Sequence, residues 1–417
     1  MLNILKLFKY CFRKSSLATL EIKPDRTLYP KILHIANWYP NQNNPVEGNF
    51  IRDHIHIFKK EYFSSAIAVQ LRENPKIWFK LRVEHIDNET VGYYIHTRIR
   101  IDRAKEALST LLLIYALFHS RFWRYDLLQF HIAIPLLIHF NHWKHIIRKK
   151  ILITEHWTAY HYNFYLPENS KSLIRLRKPF QQELPVLAVS QALLNDIKLF
   201  SGGASFPGYV IPNVVPLLGP RDKLNNTPVL FTVNVWRLLK DPIPMLEGLA
   251  LAKARGCQFK LVIGGYGEMI PEMERVVSRT DLYCCTEFRG RMTKSAIASQ
   301  LQATDGFIFS SKYETFSVAC AEALGAGVPL IGPLIPAVSE YSHTGNWQEV
   351  PERTPEAWAN AILTFLKRIS FGDFDAVKIA SEAHSRFSES AIRSSYRRAI
   401  QETLSSLNQD KNKNKCV

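Results

Sequence analysis

The fold class follows from one stretch of the chain, Ser310-Ser-Lys-Tyr-Glu-Thr-Phe-Ser-Val-Ala-Cys-Ala-Glu-Ala-Leu-Gly-Ala-Gly-Val-Pro-Leu-Ile331. Its pattern predicts a strand end, a loop, a short helix over 317–324, a glycine stop and a second strand over 328–331. In an open parallel sheet the ligand binds beyond the carboxyl ends of the strands, where this loop lies. Thr315 or Ser317 is placed to cap the helix, whose free backbone N–H groups suit a diphosphate.

Two glutamates in this stretch are candidate ligand-binding residues. Glu322 follows Glu314 by eight residues, which is about 80° of rotation on an ideal helix, so both carboxylates can face one ligand. Beside helix-bound phosphates, the carboxylates would accept hydrogen bonds from sugar and ribose hydroxyls. An isolated pair at this spacing is common by chance, and two solvated glutamates on a surface helix would then be the ordinary interpretation.

The rest of the chain alternates between strand-like and helix-like segments on both sides of a linker at 216–228. Before the linker, the apolar runs that predict strands are 31–36, 65–71, 92–97, 127–131, 151–154, 186–189 and 209–211. After it, the predicted strands are 229–234, 259–263, 286–289, 306–310 and 328–331. This alternation predicts an α/β protein with two Rossmann-like domains, each a parallel sheet covered by helices, facing an interdomain cleft.

Composition narrows the function classes. The 417 residues are 47% hydrophobic and 22% charged, which is ordinary globular composition and excludes global disorder. Six cysteines without a C-x-x-C motif argue against a disulfide scaffold or a zinc cluster. The longest apolar run, 111–118, is far shorter than a membrane span, and no signal peptide is recognised, so we expect a cytoplasmic protein.

The formal charge of +16 favours an anionic partner. A predicted helix at the start of the 1–30 extension could lie on an anionic membrane surface, with a solvated basic arm as the equal alternative. Its apolar positions are Ile4, Leu5, Phe8, Cys11 and Phe12, and its basic ones Lys6, Lys9 and Arg13. Segments 118–124 and 143–150 interleave aromatic and basic residues; we interpret them as membrane-facing or as plain solvated helix faces, without a nucleic-acid partner.

Several motifs together resemble the retaining glycosyltransferases of family four (glycosyl transferases group 1), which have the GT-B fold. The pair Glu314 and Glu322, followed by Gly325-Ala-Gly327 and Pro329, matches the hallmark of that family. Further matching segments occur in the family's order over most of residues 31–400. They are Asn37–His54, Ile153-Thr-Glu-His-Trp157, Ala188-Val-Ser190, Val210-Ile-Pro-Asn213, Leu261-Val-Ile-Gly-Gly-Tyr-Gly-Glu268 and Ser385-Arg-Phe-Ser388.

The resemblance implies a role for individual residues. Glu314 would bind the donor sugar and stabilise the transition state, and Glu322 would hold the nucleotide ribose. Lys240 would neutralise the departing diphosphate, a place where a fixed positive charge is worth most. The same resemblance assigns His156 to contact the transferred sugar, Gly48 to let the backbone approach the phosphate, and Gly265, Thr315, Phe316 and Ser317 to the donor-binding loops.

Three positions depart from the family pattern. Val235 stands where the family has an arginine, and Arg237 is carried as a candidate substitute. Pro336-Ala337 replaces a Gly-Gly pair, and Thr315-Phe-Ser317 replaces a loop ending in glycine, so the surroundings of the donor sugar are expected to differ.

The implied function is transfer of a sugar from a nucleotide diphosphate sugar to an acceptor hydroxyl with retention, without a cofactor or a metal. The expected acceptor is a glycan or a lipid-linked glycan of a bacterial surface polysaccharide, such as lipopolysaccharide, capsule or exopolysaccharide, made in the cytoplasm or at the inner membrane. The implied domains are an acceptor domain at 31–215, a nucleotide-sugar domain at 216–375, a helical segment at 376–405 that packs back on the first domain, and a disordered tail at 406–417. Sugar-nucleotide epimerase and non-catalytic sugar-nucleotide-binding partner remain open as alternatives.

Other candidate sites are weaker. Gly264-Gly-Tyr-Gly267 follows a strand, but Ile270 stands where a dinucleotide fingerprint needs its third glycine. His131 and His161 are expected to be structural or surface groups. Asp87-Asn-Glu89 is expected to be a surface turn and not a metal-binding triplet.

Overall fold

The structure is a computed structural model that describes residues 30–40, 48–59, 61–147, 149–216, 218–220 and 224–413, with the backbone alone for 406–413. The chain divides into two units. Unit 1 comprises Met1–Ala188, Leu194–Val210 and Ser395–Val417; unit 2 comprises Val189–Leu193 and Ile211–Ser394. The predicted N-terminal helix lies outside the described residues, as does Arg148 in the second basic segment.

Unit 1 is built on an eight-stranded sheet. Its strands are β1 (Lys31–Ala36), β2 (Phe63–Glu73), β3 (Phe79–Asp87), β4 (Thr90–Thr97), β5 (Leu127–His131), β6 (Lys150–Glu155), β7 (Val186–Ala188) and β8 (Gly208–Val210). They lie in the order β3-β4-β2-β1-β5-β6-β7-β8. All neighbours are parallel except β3 and β4, which form an antiparallel hairpin.

Unit 2 is built on a six-stranded sheet in which every neighbouring pair is parallel. Its strands are β9 (Val229–Val235), β10 (Lys260–Tyr266), β11 (Thr286–Gly290), β12 (Gly306–Ile308), β13 (Leu330–Pro333) and β14 (Trp347–Val350). They lie in the order β11-β10-β9-β12-β13-β14. The two central strands β9 and β12 therefore end side by side at the same edge of the sheet.

Helices connect most of these strands. In chain order they are α1 (Asn49–Lys59), α2 (Asp102–His119), α3 (Phe140–Ile147), α4 (Lys171–Arg177), α5 (Gln191–Phe200), α6 (Pro242–Ala254), α7 (Ile270–Ser278), α8 (Lys294–Gln302), α9 (Val318–Gly325), α10 (Pro336–Ser339), α11 (Pro355–Ser370), α12 (Ala376–Phe387) and α13 (Glu389–Lys413). In the described part of the chain, none of them combines the length and the apolar character that crossing a bilayer requires.

Most of the strands that the sequence predicted are largely buried, although the predicted edge strands β8 and β11 are partly exposed. β5 is buried at every position, because helices cover both faces of a parallel sheet and its strands are then continuous apolar runs. The two strands that the sequence did not predict, β3 and β14, lie at sheet edges. β3 alternates between half-buried and exposed residues and carries many charges. In the turn after it, Asp87 Oδ1 accepts the Glu89 N–H at 2.9 Å, which places Asp87-Asn-Glu89 in a surface turn.

The predicted helical segment 376–405 divides between the two units. α12 packs within unit 2, where His384 Nε2 lies 3.0 Å from the Gly325 carbonyl oxygen and the Phe387 ring contacts Phe316. Only from Ser395 onward does the chain belong to unit 1. There the fully buried Tyr396 stacks on Phe58 with ring centroids 3.3 Å apart. α13 continues to Lys413, into the tail that the sequence predicted to be disordered.

The first testable prediction concerns this return of the chain to unit 1. Tyr396→Ala removes the ring stacked on Phe58 and the hydrogen bond from its hydroxyl to Gln129. Because large aromatic deletions in cores cost about 3–5 kcal/mol, we expect a matching fall in the free energy of unfolding, measured by urea denaturation. Arg398→Ala on the same helix, with a side chain 83% exposed, is the control and should cause no measurable change. Equal effects of the two variants would contradict the anchoring role of Tyr396.

Candidate functional site

The quoted stretch lies at the carboxyl end of β12, next to the carboxyl end of β9. From β12 a loop at 309–317 leads into α9, and from β9 a loop leads into the short 3-10 helix Leu238–Lys240. Because β9 and β12 are neighbours in the sheet, these two loops meet. The carboxyl edge of unit 2 therefore carries the two segments from which the predicted catalytic residues Lys240 and Glu314 come.

Lys240 and Glu314 are in direct contact within unit 2. The Lys240 Nζ donates to Glu314 Oε1 at 2.5 Å, and the two side chains are only 20% and 15% exposed. Ser311 Oγ donates to the same carboxylate oxygen at 2.6 Å. Charge-assisted hydrogen bonds between partly buried groups are among the stronger ones. This contact brings together two residues that the resemblance had assigned to one reaction.

Two hydrogen bonds to backbone carbonyls hold the two loops together. Ser310 Oγ donates to the Lys240 carbonyl oxygen at 2.6 Å, and the Lys312 N–H donates to the Leu239 carbonyl oxygen at 2.8 Å. Sequence reasoning missed Ser310 and Ser311 as supporting groups, because a Ser-Ser pair at a strand end has no distinctive pattern.

The beginning of α9 differs from the predicted cap. Ser317 is the N-cap residue, but it has a left-handed backbone (φ 63°, ψ 82°) and its side chain makes no capping hydrogen bond. The prediction that Thr315 or Ser317 caps the helix through its side chain is therefore wrong: the cap position is Ser317, and its backbone turns the wrong way for its hydroxyl to reach the first turn. Thr315 lies half-buried in the loop before it, and Glu322 lies half-buried on the helix.

Phe316 packs inward, below the loop. Its side chain is 2% exposed and contacts the rings of Tyr341 and Phe387. The Tyr341 hydroxyl donates to the Phe316 carbonyl oxygen at 2.5 Å. The ring of Phe316 thus anchors the loop from below.

The segment around Arg237 is organised by a buried tryptophan. Trp236 is 1% exposed, and its Nε1–H donates to the Gly264 carbonyl oxygen at 2.8 Å. Val235 and Arg237, on either side of it, are exposed. Gly265 has φ +106°, and a Cβ there would lie 1.8 Å from the Asn234 carbonyl oxygen, so this position needs glycine for the close approach of two backbone segments.

In unit 1, His156 belongs to a group of four buried histidines. His34 Nδ1 lies 3.1 Å from His131 Nε2, and the rings of His54 and His156 are 5.1 Å apart. His156 is 8% exposed, and its ring also contacts Phe50, at a centroid distance of 4.7 Å. His131 is thus a structural group, as expected, while His161 is on the surface and pairs with Asp196 at 3.1 Å.

Burial sets the protonation of three members of this histidine cluster (His34, His54, His131 and His156), namely His34, His131 and His156. Desolvation, with Lys59 as the next cause, lowers the pKa of His34 to about 3. Desolvation also holds the pKa values of His131 and His156 well below the ordinary range. Next to the cluster, burial raises the pKa of Glu155 to about 7, although its carboxylate accepts the Ala133 N–H at 2.7 Å.

Gly48 lies at the start of α1 in unit 1. Its φ is +65°, and a Cβ would lie 2.6 Å from the Trp38 carbonyl oxygen. The backbone of this turn therefore lies against the end of β1 as only glycine permits. Across the described residues, no group of three or more His, Cys, Asp or Glu side chains is arranged to hold a metal ion.

Unit 1 also contains a pocket of about 460 Å³ that the sequence did not predict. It is lined by Trp38, which follows β1, by Arg72 near the end of β2, and by Glu106 and Arg175. Arg175 Nε lies 2.7 Å from Glu106 Oε2, and this pair is only 16% and 9% exposed. Fixed charges of both signs beside a tryptophan can bind a ligand rich in hydroxyl groups. No pattern in the sequence connects these residues, which come from separate elements.

Comparison with known proteins gives a partial match to a protein family. Residues 229–368 match the model of the family described as Glycosyl transferases group 1. The chain is 26% identical over 196 residues to the amylovoran biosynthesis glycosyltransferase AmsK of Erwinia amylovora, covering 40% of this chain and 47% of that protein. It is 24% identical over 152 residues to the GDP-mannose:cellobiosyl-diphosphopolyprenol alpha-mannosyltransferase of Xanthomonas campestris, covering 36% and 40%. The chain thus spans about half the length of these relatives or less.

Solved structures establish the fold class. Sucrose-phosphate synthase from Thermosynechococcus elongatus superposes with a TM-score of 0.66 at 15% identity, covering 90% of this chain and 100% of that chain. Anabaena HepE in complex with UDP-glucose superposes with a TM-score of 0.65 at 17% identity, covering 91% and 100%. These neighbours are GT-B proteins, so the predicted GT-B fold is confirmed.

The second testable prediction follows from the histidine cluster. An unfolded histidine binds a proton below about pH 6.5, whereas His34 in the folded state does so only near pH 3. The unfolded state then binds more protons, so stability must fall as pH drops below 6.5, by about 1.4 kcal/mol per pH unit for each such imidazole. Glu155 has the opposite effect on stability between pH 7 and 4.5, because its folded state binds the extra proton. The contribution of this one carboxyl is outweighed by those of the three imidazoles of His34, His131 and His156.

Urea denaturation between pH 5 and 7.5 measures this slope. His34→Gln should reduce this slope by the contribution of one proton, about 1.4 kcal/mol per pH unit. A pH-independent stability over this range would contradict the buried neutral state of these imidazoles.

Proposed function

We propose that this chain transfers a sugar from a nucleotide diphosphate sugar to an acceptor hydroxyl with retention at the anomeric carbon. Its GT-B fold and the match of residues 229–368 to the model of the glycosyl transferases group 1 support this proposal. The observation that carries the proposal is the contact of Lys240 with Glu314 at the carboxyl edge of unit 2. It places a positive charge and a carboxylate together beside the N-terminus of α9, and this combination suits a sugar joined to a diphosphate.

In the proposed reaction, the bond between the anomeric carbon and the diphosphate oxygen breaks while the acceptor oxygen bonds to the same face. The departing phosphate oxygen takes the proton of the acceptor hydroxyl, so no covalent intermediate is needed. Lys240 stabilises the negative charge that develops on the leaving group. Glu314 accepts hydrogen bonds from the sugar and stabilises the positive charge at its anomeric carbon, and Glu322 binds the ribose.

The donor is a nucleotide diphosphate sugar whose base and sugar are left to experiment. HepE was solved with UDP-glucose, and the Xanthomonas relative is named for GDP-mannose, so both nucleotides occur among similar proteins. A ligand that binds only the folded state raises the melting temperature. A thermal-shift screen of nucleotide sugars therefore identifies the donor directly.

The acceptor is proposed to be a lipid-linked glycan of a bacterial surface polysaccharide, used at the cytoplasmic face of the inner membrane. Two relatives support this choice by name: one acts in amylovoran biosynthesis and the other on a cellobiosyl-diphosphopolyprenol. The mixed-charge pocket of unit 1, with Trp38 in its wall, offers the hydrogen-bonding groups that a saccharide needs.

A basic aromatic patch in unit 1, formed by Phe118, Arg121, Trp123, Arg124 and Lys149, supports membrane contact. The side chains of Trp123 and Phe118 are 52% and 42% exposed, and their ring centroids are 6.3 Å apart. Lys149 Nζ donates to the Trp123 carbonyl oxygen at 3.1 Å. Tryptophan side chains favour the membrane interface. Each Lys or Arg near an anionic leaflet contributes about 1 kcal/mol to the free energy of membrane binding.

The third testable prediction concerns the reaction. Glu314→Gln and Lys240→Met should each lower kcat about 100-fold or more, as loss of a preorganised electrostatic contact does, measured as nucleoside diphosphate released in the presence of acceptor. Glu287→Gln is the control, because Glu287 is a 58% exposed carboxylate paired with Arg289 on β11. Melting temperatures verify that each variant is folded.

The same assay separates the alternatives. A sugar-nucleotide epimerase would convert the donor without acceptor, and a non-catalytic binding partner, which the valine at 235 would suit, would bind donor without turnover. Unchanged rates in both Glu314→Gln and Lys240→Met would contradict the assignment of these residues.

The fourth testable prediction concerns the membrane. In sedimentation with vesicles containing anionic phosphatidylglycerol, Trp123→Ser should lower the bound fraction, and added salt should lower it further. Trp78→Ser is the matched control, because Trp78 is a similarly exposed tryptophan (65%) outside the patch. It directly precedes the edge strand β3, and the Arg98 guanidinium lies over its ring. Equal binding of the two variants would contradict a role for the basic aromatic patch.

A further inference from the structure

Arg353 connects the two loops that carry Lys240 and Glu314. It lies just before α11, in a part of unit 2 that sequence analysis did not single out. One guanidinium nitrogen, Nη1, donates to the Ser310 carbonyl oxygen at 2.7 Å, and Nη2 donates to the Ser311 carbonyl oxygen at 2.7 Å. The guanidinium thus binds two successive carbonyls of the loop that leads to Glu314.

The same guanidinium also reaches the other loop. Its Nη1 lies 3.5 Å from Asp241 Oδ2, and Asp241 directly follows Lys240. The second oxygen of this carboxylate, Oδ1, lies 3.3 Å from Lys312 Nζ. Asp241 has a left-handed backbone, with φ 47° and ψ 50°, a conformation that costs energy for a residue other than glycine and therefore needs support from its surroundings.

The chemistry of arginine suits this role. A planar guanidinium offers several donors in a fixed fork, so it can bind two carbonyls and a carboxylate at once, whereas a lysine ammonium cannot reproduce that geometry. With a side chain 31% exposed, facing an Asp241 side chain only 15% exposed, the contact is partly shielded from solvent. The two loops are also joined by the ion pairs Lys240–Glu314 and Lys312–Asp241 and by the hydrogen bonds of Ser310 Oγ and of the Lys312 N–H.

We propose that Arg353 is a positioning residue that holds Lys240 and Glu314 in register by fixing the 310–311 backbone and Asp241 at the same time. The guanidinium acts on the loops of Lys240 and Glu314 through the Ser310 and Ser311 carbonyls and through Asp241. The expected effect of Arg353 on catalysis rests on the proposed function. The expected effect of Arg353 on the order of the two loops is independent of that function.

Two measurements on the full chain test this proposal. Hydrogen–deuterium exchange reports the loops themselves: Arg353→Met should speed exchange in peptides covering 237–241 and 310–316 together, and Arg353→Lys should do so less. Steady-state kinetics with the donor found by the thermal-shift screen report the site. There we expect kcat to fall 10- to 100-fold in Arg353→Met, because small misplacements of catalytic groups carry penalties of about this size, with a smaller change in the KM for the donor.

Arg368→Met is the matched control. Arg368 is likewise a partly buried arginine of unit 2, 23% exposed, and it likewise donates to a backbone carbonyl, that of Trp347, at 3.3 Å. Its contacts are with the 344–348 segment, Asp373 and Phe374, and not with either loop. It should lower stability comparably while leaving exchange at 237–241 and 310–316 unchanged.

The outcomes separate this proposal from the proposed function. Unchanged exchange in both loops of Arg353→Met, or the same kcat in Arg353→Met and Arg368→Met, would overturn the positioning role. If the wild-type chain turns over no donor, the proposed function fails, and the exchange experiment alone decides whether Arg353 couples the loops. If Arg353→Met does not fold, the exchange and kinetics of Arg353→Lys against Arg368→Lys decide in the same way.

Discussion

The contact between Lys240 and Glu314 depends on one topological constraint: β9 and β12 are adjacent parallel strands. Parallel neighbours end at the same edge of a sheet, so the loops that follow them meet although the two residues are 74 positions apart. The pair itself is only partly exposed, and removing one member leaves the other as a poorly compensated charge. The backbones of the two loops are accordingly held by several neighbouring groups, namely serine hydroxyls, a guanidinium and the buried ring of Phe316.

The sequence predicted the sheets well where strands are buried on both faces, because burial leaves a continuous apolar run. It failed at β3 and β14, which lie at sheet edges. β3 carries a charged residue at nearly every second position, so its pattern resembles a solvated segment and only pairing with β4 makes it a strand. The division of 376–405 between the units was equally hidden, because it falls at Ser395, within the continuous helix α13.

At the site, the sequence predicted the catalytic residues but not the residues that position them. Glu314 and Lys240 were found because they belong to a recognisable family pattern, and the structure brings them into contact. Phe316 was placed with the donor by the same pattern, yet its ring is core, because burial depends on Tyr341 and Phe387, which are distant in sequence. The Arg353 contact left no local signal, since a guanidinium that binds main-chain carbonyls constrains neither the identity nor the spacing of its partners.

The composition of unit 1 has a consequence for protein synthesis. Its sheet is made early, but Tyr396 and the rest of α13 that cover Phe58 emerge almost 340 residues later than that phenylalanine. Unit 2 is nearly continuous in sequence, from Ile211 to Ser394. On the ribosome, therefore, the second unit can complete its core before the first one does, and the nascent first unit exposes the ring of Phe58 until Tyr396 has emerged. A chain stopped shortly before Ser395 would keep that ring exposed to chaperones and proteases.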